Sequence, residues 1–175
     1  MILSPEKKGF TLVELVVALA VLGLVFAVSV ARFDRMFTGT RLEAAARGLG
    51  DHFAYGISRA YTTGRYHTLE FDLGAGKYWI KPGREDEEGV KILEESLGSG
   101  VRFTDIQAGG ETYTPPGVLS VEISPLGFTG DLLVNLEDEA GNTMAVELDS
   151  LVQGIRYRRG YETWDEFQNG PSQAQ

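Results

Sequence analysis

The sequence contains no cysteine. A disulfide framework and a thiolate metal site are therefore excluded. Histidine is scarce: His52 and His67 are the two present. They show no His-Glu-x-x-His spacing, so they read as ordinary core or surface side chains and no metal ligand is assigned. A Gly-x-Ser-x-Gly elbow is missing, and so is any thiol nucleophile. Carboxylates are plentiful, but nothing in the sequence brings two of them into a cleft. The expectation is a chain that is not an enzyme, with no catalytic residue and no cofactor. An excess of basic residues is also lacking. With 16 basic against 25 acidic residues and a net charge of −9, the chain is poorly suited to hold nucleic-acid phosphates. Gly74-Ala75-Gly76-Lys77 has the wrong leading glycine spacing for a phosphate loop, with Tyr78 where Ser or Thr is needed, and reads as a hairpin turn. The acidic runs at 85–88 and 137–139 lack the alternating ligands and closing carboxylate of a calcium loop. What the chain does have is an uneven distribution of its 43% hydrophobic residues, with a dense block in the first fifth, and 22 glycines. So many glycines fit a β-rich body with many turns.

The dense block follows Ser4-Pro5-Glu6-Lys7-Lys8-Gly9-Phe10-Thr11-Leu12-Val13-Glu14-Leu15. From Leu15 to Val30 there is no charge, and Ser29 is the only polar side chain. As a helix that run spans about 24 Å. Extended back to Phe10 it becomes long enough to cross a hydrocarbon core of about 30 Å. All faces are apolar, which calls for burial in lipid or protein. Lys7 and Lys8 precede the run and Arg32 and Arg35 follow it, so flanking charge alone leaves orientation open, although short Lys-Lys leaders usually stay cytoplasmic.

Glu14 interrupts the apolar pattern. A carboxylate at the centre of a spanning helix costs about 2.5–3.5 kcal/mol; near the end it can reach the headgroups. One reading makes Glu14 a helix-start residue favoured by the helix dipole. The other gives it a cationic partner. Cleavage after Gly9 would create a positive α-amino group on Phe10, and the same group on a neighbouring subunit could pair with Glu14.

Lys8-Gly9-Phe10-Thr11-Leu12-Val13-Glu14-Leu15 resembles the class III signal of type IV prepilins and type II secretion pseudopilins. The resemblance implies that a prepilin peptidase cuts between Gly9 and Phe10 and methylates the new N-terminus at Phe10. It also implies that Glu14 supports subunit docking. Two other readings stand beside it. Residues 1–31 also look like a secretory signal ending in the small-x-small site Ser29-Val30-Ala31, and the segment is also long enough for an uncleaved single-span anchor. Ala31 stands where many pilins carry a helix-kinking proline.

Beyond the block, residues 32–64 keep a helical pattern. Thr40-Arg41-Leu42-Glu43 is a capping-box sequence that would let a helix restart after Gly39. Ala44, Ala45, Ala46, Leu49, Phe53, Ala54, Ile57, Ala60 and Tyr61 form an amphipathic stripe, read as core packing. Gly48, Gly50 and Gly56 weaken helix propensity, so packing must hold this part. From Tyr66 the period changes. Residues 67–72 and 77–81 around the 73–76 turn predict a hairpin, and 82–89 a solvated loop. Strands are expected at 90–93 and 101–106, then a Gly/Pro-rich loop at 107–117. A meander is expected from 118–124, 131–137 and 143–148, with Ala140-Gly141-Asn142 in its last turn, and a further strand at 155–158. The segment from Asn169 is expected to be mobile.

Ile123-Ser124-Pro125-Leu126-Gly127-Phe128 with the strands after it, Gly154-Ile155-Arg156-Tyr157, and the helix-to-hairpin stretch 59–80 resemble the GspH/FimT-like minor pseudopilins. The Pro/Trp loop of the major pseudopilin is absent, which favours a minor subunit. The expected fold is α+β: a long N-terminal transmembrane helix packed on an antiparallel β-sheet body. The expected organisation is a leader at 1–9, a transmembrane and filament-core helix at 10–31, an amphipathic continuation at 32–64, an antiparallel β domain at 65–168 and a tail at 169–175. The resemblance implies a minor subunit of a type II secretion pseudopilus, single-pass in the inner membrane with its β domain in the periplasm. Its implied partners are other pilins or pseudopilins and the prepilin peptidase. A minor pilin of a type IV or competence pilus, and a membrane-anchored periplasmic binding domain, are the alternatives.

Overall fold

Helix propensity and the uninterrupted apolar run open the chain with α1, Leu12–Thr63, 52 residues long. In this computed structural model the described residues are 12–128, 130–152 and 154–164, the side chains of 27–38 excepted. The expected leader at 1–9 and tail at 169–175 lie outside them. The helix assignment is unbroken through Thr38-Gly39-Thr40, so Thr40 does not start a new helix as its capping-box pattern suggested. In the last turn the Thr62 and Thr63 hydroxyls donate to the Ser58 and Arg59 carbonyls, both at 2.7 Å. Gly64 follows at φ +65°, a left-handed stop that glycine adopts without a Cβ clash.

The chain divides into two compact units, Met1–Phe37 and Thr38–Gln175. Among its described residues the second carries the later part of α1 and ten strands: β1 His67–Asp72, β2 Lys77–Pro82, β3 Leu93–Ser96, β4 Val101–Ala108, β5 Glu111–Tyr113, β6 Val118–Ser124, β7 Gly127–Phe128, β8 Leu132–Asp138, β9 Thr143–Asp149 and β10 Gly154–Arg159. They form two antiparallel five-stranded sheets, ordered β3-β2-β1-β6-β7 and β10-β9-β8-β4-β5. The α+β architecture with an N-terminal helix and antiparallel sheets is thus present.

The hairpin β1–β2 forms as its alternation predicts, with Asp72 opposite Lys77 and the Asp72 carboxylate accepting from the Ala75 amide at 2.8 Å. Other expectations are corrected. The strand placed at 90–93 lies at Leu93–Ser96, because it pairs with β2 from Ile80↔Leu93 to Lys77↔Ser96; Val90 is left 83% exposed. The loop expected at 107–117 contains the end of β4 and all of β5. The expected meander is split: β6 belongs to the first sheet, and β8 and β9 to the second. Chain order could not show that crossover.

The core lies where α1 and both sheets meet. Leu42, Ala45, Ala46, Leu49, Phe53 and Ala60 supply the helical side. Ala44, Ala54 and Tyr61, expected in the stripe, point outward. Phe53 packs on Phe71 and Phe128 with ring centres 6.0 and 5.7 Å away, and Phe71 meets Phe103 of the second sheet edge-on at 5.9 Å. Burying a side chain of this size contributes about 1.5–3 kcal/mol. Close approach of helix and sheets needs glycine at two helical positions. A Cβ on Gly50 would fall on the Tyr157 hydroxyl, and one on Gly56 would sit 2.6 Å from Ile123 Cδ1. The propensity lost at these glycines is offset by the packing they permit.

Candidate assembly site

Within the first unit, the described side chains from Leu12 to Phe26 are all exposed. Leu12 is 79% exposed, Leu19 61% and Phe26 68%. These fifteen residues span about 22 Å of helix, and their apolar surface is not confined to one face. An apolar surface of that extent marks contact with protein or membrane. Glu14 lies in the first described turn of α1. Gly9 and Phe10 lie outside the described residues, so their geometry with Glu14 is not part of the structure. Among the described residues no helix is long and apolar enough to cross a membrane. The span expected at 10–31 includes residues 10 and 11 and the side chains of 27–31, which lie outside that set.

The surface grooves of the second unit include two that border α1. One, of about 530 Å³, is lined mainly by apolar groups, including Ile57, Tyr61, Leu126 and Ile155. The other, of about 520 Å³, runs past Arg41, Asp51, His52, Tyr78 and Glu95. There His52 Nδ1–H donates to the Gly48 carbonyl at 3.0 Å, and its ring stands edge-on to Tyr78 at 4.9 Å. Burial, followed by the charges of Glu95 and Asp51, pushes the Tyr78 phenol up to about 12, so it remains a neutral donor at ordinary pH. His67 is buried in β1, with Nδ1 3.2 Å from the Arg65 carbonyl. The structure keeps the two histidines on separate elements, each bonded to nearby backbone. Among the described residues no three His, Asp or Glu side chains group as metal ligands.

On the second sheet, burial raises the Glu147 carboxyl above its usual value, although Arg156 holds it through bonds of 2.7 and 2.9 Å and pulls it back. At the β8–β9 turn Asp138 goes the other way. Burial alone would raise it, but the Asn142 side chain and the backbone amides of Asn142, Ala140 and Gly141 outweigh burial and hold it below the usual carboxylate range. Sequence reasoning missed one polar group altogether: Asp105, Gln107 and Asn135, all buried in the second sheet. Their only signal was two amides and an acid among apolar strand residues.

Comparison with known proteins bears on both units. Residues 5–30 match the family described as the prokaryotic N-terminal methylation motif. The structure is similar to that of the minor pseudopilin EpsH from the type 2 secretion system of Vibrio cholerae. The match has a TM-score of 0.54 at 11% identity and covers 70% of this chain and 99% of that one. No curated protein matches the sequence. The chain is therefore type IV prepilin-like at its N-terminus and has the fold of a minor pseudopilin. Motif and fold together support a pilin-type structural subunit.

Proposed function

We propose that this chain is a minor pseudopilin-like subunit of a type II secretion pseudopilus. Lys7 and Lys8 stay on the cytoplasmic side of the inner membrane, the helix from Phe10 crosses it, and the β domain faces the periplasm. Prepilin peptidase cuts between Gly9 and Phe10 and methylates Phe10. The freed helix then leaves lipid for a bundle of like helices in the filament. The observation that carries this reading is the all-round exposed apolar helix from Leu12 to Phe26, lying within the methylation motif at 5–30.

The physics of assembly follows from the surface. Lipid and neighbouring apolar helices satisfy such a helix about equally well, so packing rather than water exclusion drives the transfer. Packing of near-uniform aliphatic faces defines register poorly. Glu14 supplies register: its carboxylate pairs with the N-terminal amine of a neighbouring Phe10, and the pair is favoured in a dry bundle where an unpaired carboxylate is costly.

The test is Glu14→Ala in cells producing the peptidase and the other filament subunits. Processing at Gly9 is expected to continue, because the substitution leaves the cleavage site intact. Incorporation into sheared filaments is expected to fall about tenfold or more, the equivalent of about 1.4 kcal/mol. Normal incorporation would contradict the pairing role.

A further inference from the structure

Three features of the groove beside His52 have no partner among the described residues. The first is a phenol. Tyr78 is 3% exposed, and its ring meets His52 edge-on at 4.9 Å and Phe71 at 6.4 Å. Its hydroxyl makes no hydrogen bond to a described residue, although a buried hydroxyl ordinarily finds one. It opens on the groove because residue 48 of α1 is glycine. A Cβ there would stand 3.8 Å from the hydroxyl, and glycine leaves the space beyond it empty.

The second is a pair of carboxylates. Glu95 stands opposite Tyr78 in the β2–β3 register, so both side chains leave the sheet on the face that meets α1. Asp51 comes from α1, three residues after Gly48 and on the same side of the helix. Both carboxylates line the groove, and both act on the Tyr78 phenol. Neither has an ion-pair or hydrogen-bond partner among the described residues. Glu70, Glu94, Glu137 and Glu147, by contrast, each meet a Lys or Arg at 2.7–3.2 Å. The third is His52. Its Nδ1–H is committed to the Gly48 carbonyl, which leaves Nε2 as an acceptor. Nε2 is buried and has no partner among the described residues.

Acceptors therefore gather at one end of the groove. Arg41, the cation among the lining residues, lies ten residues before Asp51, about 15 Å back along the helix. Two carboxylates beside a neutral phenol are relieved by positive charge. Among the described residues no three such side chains group as metal ligands, and Ala44, Ala45 and Leu97 supply an apolar wall, so the cation that fits is an organic one with an aliphatic stem. An ammonium has three donors, one for each carboxylate and one for the phenol oxygen. The groove stays open along α1 from Asp51 back to Arg41, which leaves room for a backbone that carries the stem.

We propose that this end of the groove binds the ammonium of a lysine side chain presented by a partner protein. Asp51, Glu95 and the Tyr78 hydroxyl receive the ammonium, and Ala44, Ala45 and Leu97 flank its methylenes. Arg41 disfavours a cation at the other end. The site lies wholly within the second unit and stands whether or not the N-terminal helix enters a filament.

The test adds N-acetyl-lysine N-methylamide, at constant ionic strength, to the full chain in non-ionic detergent micelles, followed by NMR. The sequence has two histidines, so labelled imidazoles give one reporter in the groove, His52, and one outside it, His67, buried in β1. Saturable shifts of the His52 and Tyr78 rings are expected, with a Kd of about 1–10 mM for a single blocked residue, while His67 does not move. Blocked norleucine, which has the stem without the charge, should bind at least about tenfold weaker, and blocked arginine at least about threefold weaker. Asp51→Asn and Glu95→Gln should each weaken lysine binding about three- to fivefold, and Tyr78→Phe about threefold. Gly48→Leu keeps every polar group, fills the empty space and should abolish binding. A thermal melt of each variant reports whether it folds. Asp51 and Glu95 are exposed, so their variants leave the core intact and carry the test if Tyr78→Phe or Gly48→Leu does not fold. Absence of a saturable His52 shift, equal binding of blocked norleucine or arginine, or unchanged affinity in the chain carrying both Asp51→Asn and Glu95→Gln would overturn the proposal. So would tighter binding of butylammonium, which would make the ligand a free amine.

Discussion

The two stretches of α1 carry similar apolar side chains to opposite fates. Between Leu12 and Phe26 the side chains are exposed; between Leu42 and Ala60 one face is buried under two sheets. The more apolar stretch is the uncovered one. Burial here follows from whether a partner surface lies in the same chain, and hydrophobicity alone does not predict it. The glycines mark the same contrast. A Cβ on Gly23 would meet nothing within 4 Å, whereas one on Gly50 or Gly56 would collide with Tyr157 or Ile123. In the first stretch glycine only weakens the helix; in the second it makes room for the sheets.

Breaking the contrast at the uncovered end should give the largest effect. Leu19→Arg places a charge in the middle of the apolar stretch, at a cost of about 2.5–3.5 kcal/mol on insertion scales. Membrane fractionation should show most of the chain lost from the membrane, while melting of the β-rich unit is unchanged. Retention in the membrane would contradict the reading of this stretch as the segment that holds the chain there. A smaller effect is expected at the covered end. Gly50→Ala overpacks the contact with Tyr157 and should cost about 1–3 kcal/mol, lowering Tm by about 2–4 °C per kcal/mol. Gly23→Ala should stay within about 0.5 kcal/mol in the same melt. Equal shifts would erase the distinction between the two stretches. The smallest effect concerns acid. Asp138 is held below its usual range, so its stabilisation of the β8–β9 turn is complete above about pH 4 and is lost as pH falls further. Amide exchange at Ala140 and Asn142 should quicken in that window, and Asp138→Asn should remove the dependence.

Much of this was legible in the sequence for a physical reason: local patterns encode local structure. The 67–82 hairpin was readable because strict alternation flanks a Gly-rich turn. The apolar N-terminal run was readable because sixteen residues without charge admit few fates. Tertiary choices were less visible. Nothing between Ser124 and Leu132 announces that the chain leaves one sheet for the other, and so the meander was misread. The third strand slipped to Leu93–Ser96 because its register is dictated by β2, not by its own β-branched residues. Tyr61 fits a helical stripe by spacing yet lies outside the surface that the sheets cover. The Asp105, Gln107 and Asn135 group depends on a bulge in β4 between Phe103 and Asp105, and sequence carries no plain signal for a bulge without glycine. The roles proposed for Gly9, Phe10 and Glu14 come from a linear motif at residues 5–30, and a linear motif can be read without a fold.

The central claim is that this N-terminus is a processed filament helix. Its most direct test is the N-terminal mass of the chain produced with a prepilin peptidase, beside a peptidase-free control. The account predicts peptidase-dependent cleavage to a chain that begins at Phe10 and carries an N-methyl group. A chain beginning at Arg32, or an uncut chain in both samples, would contradict it.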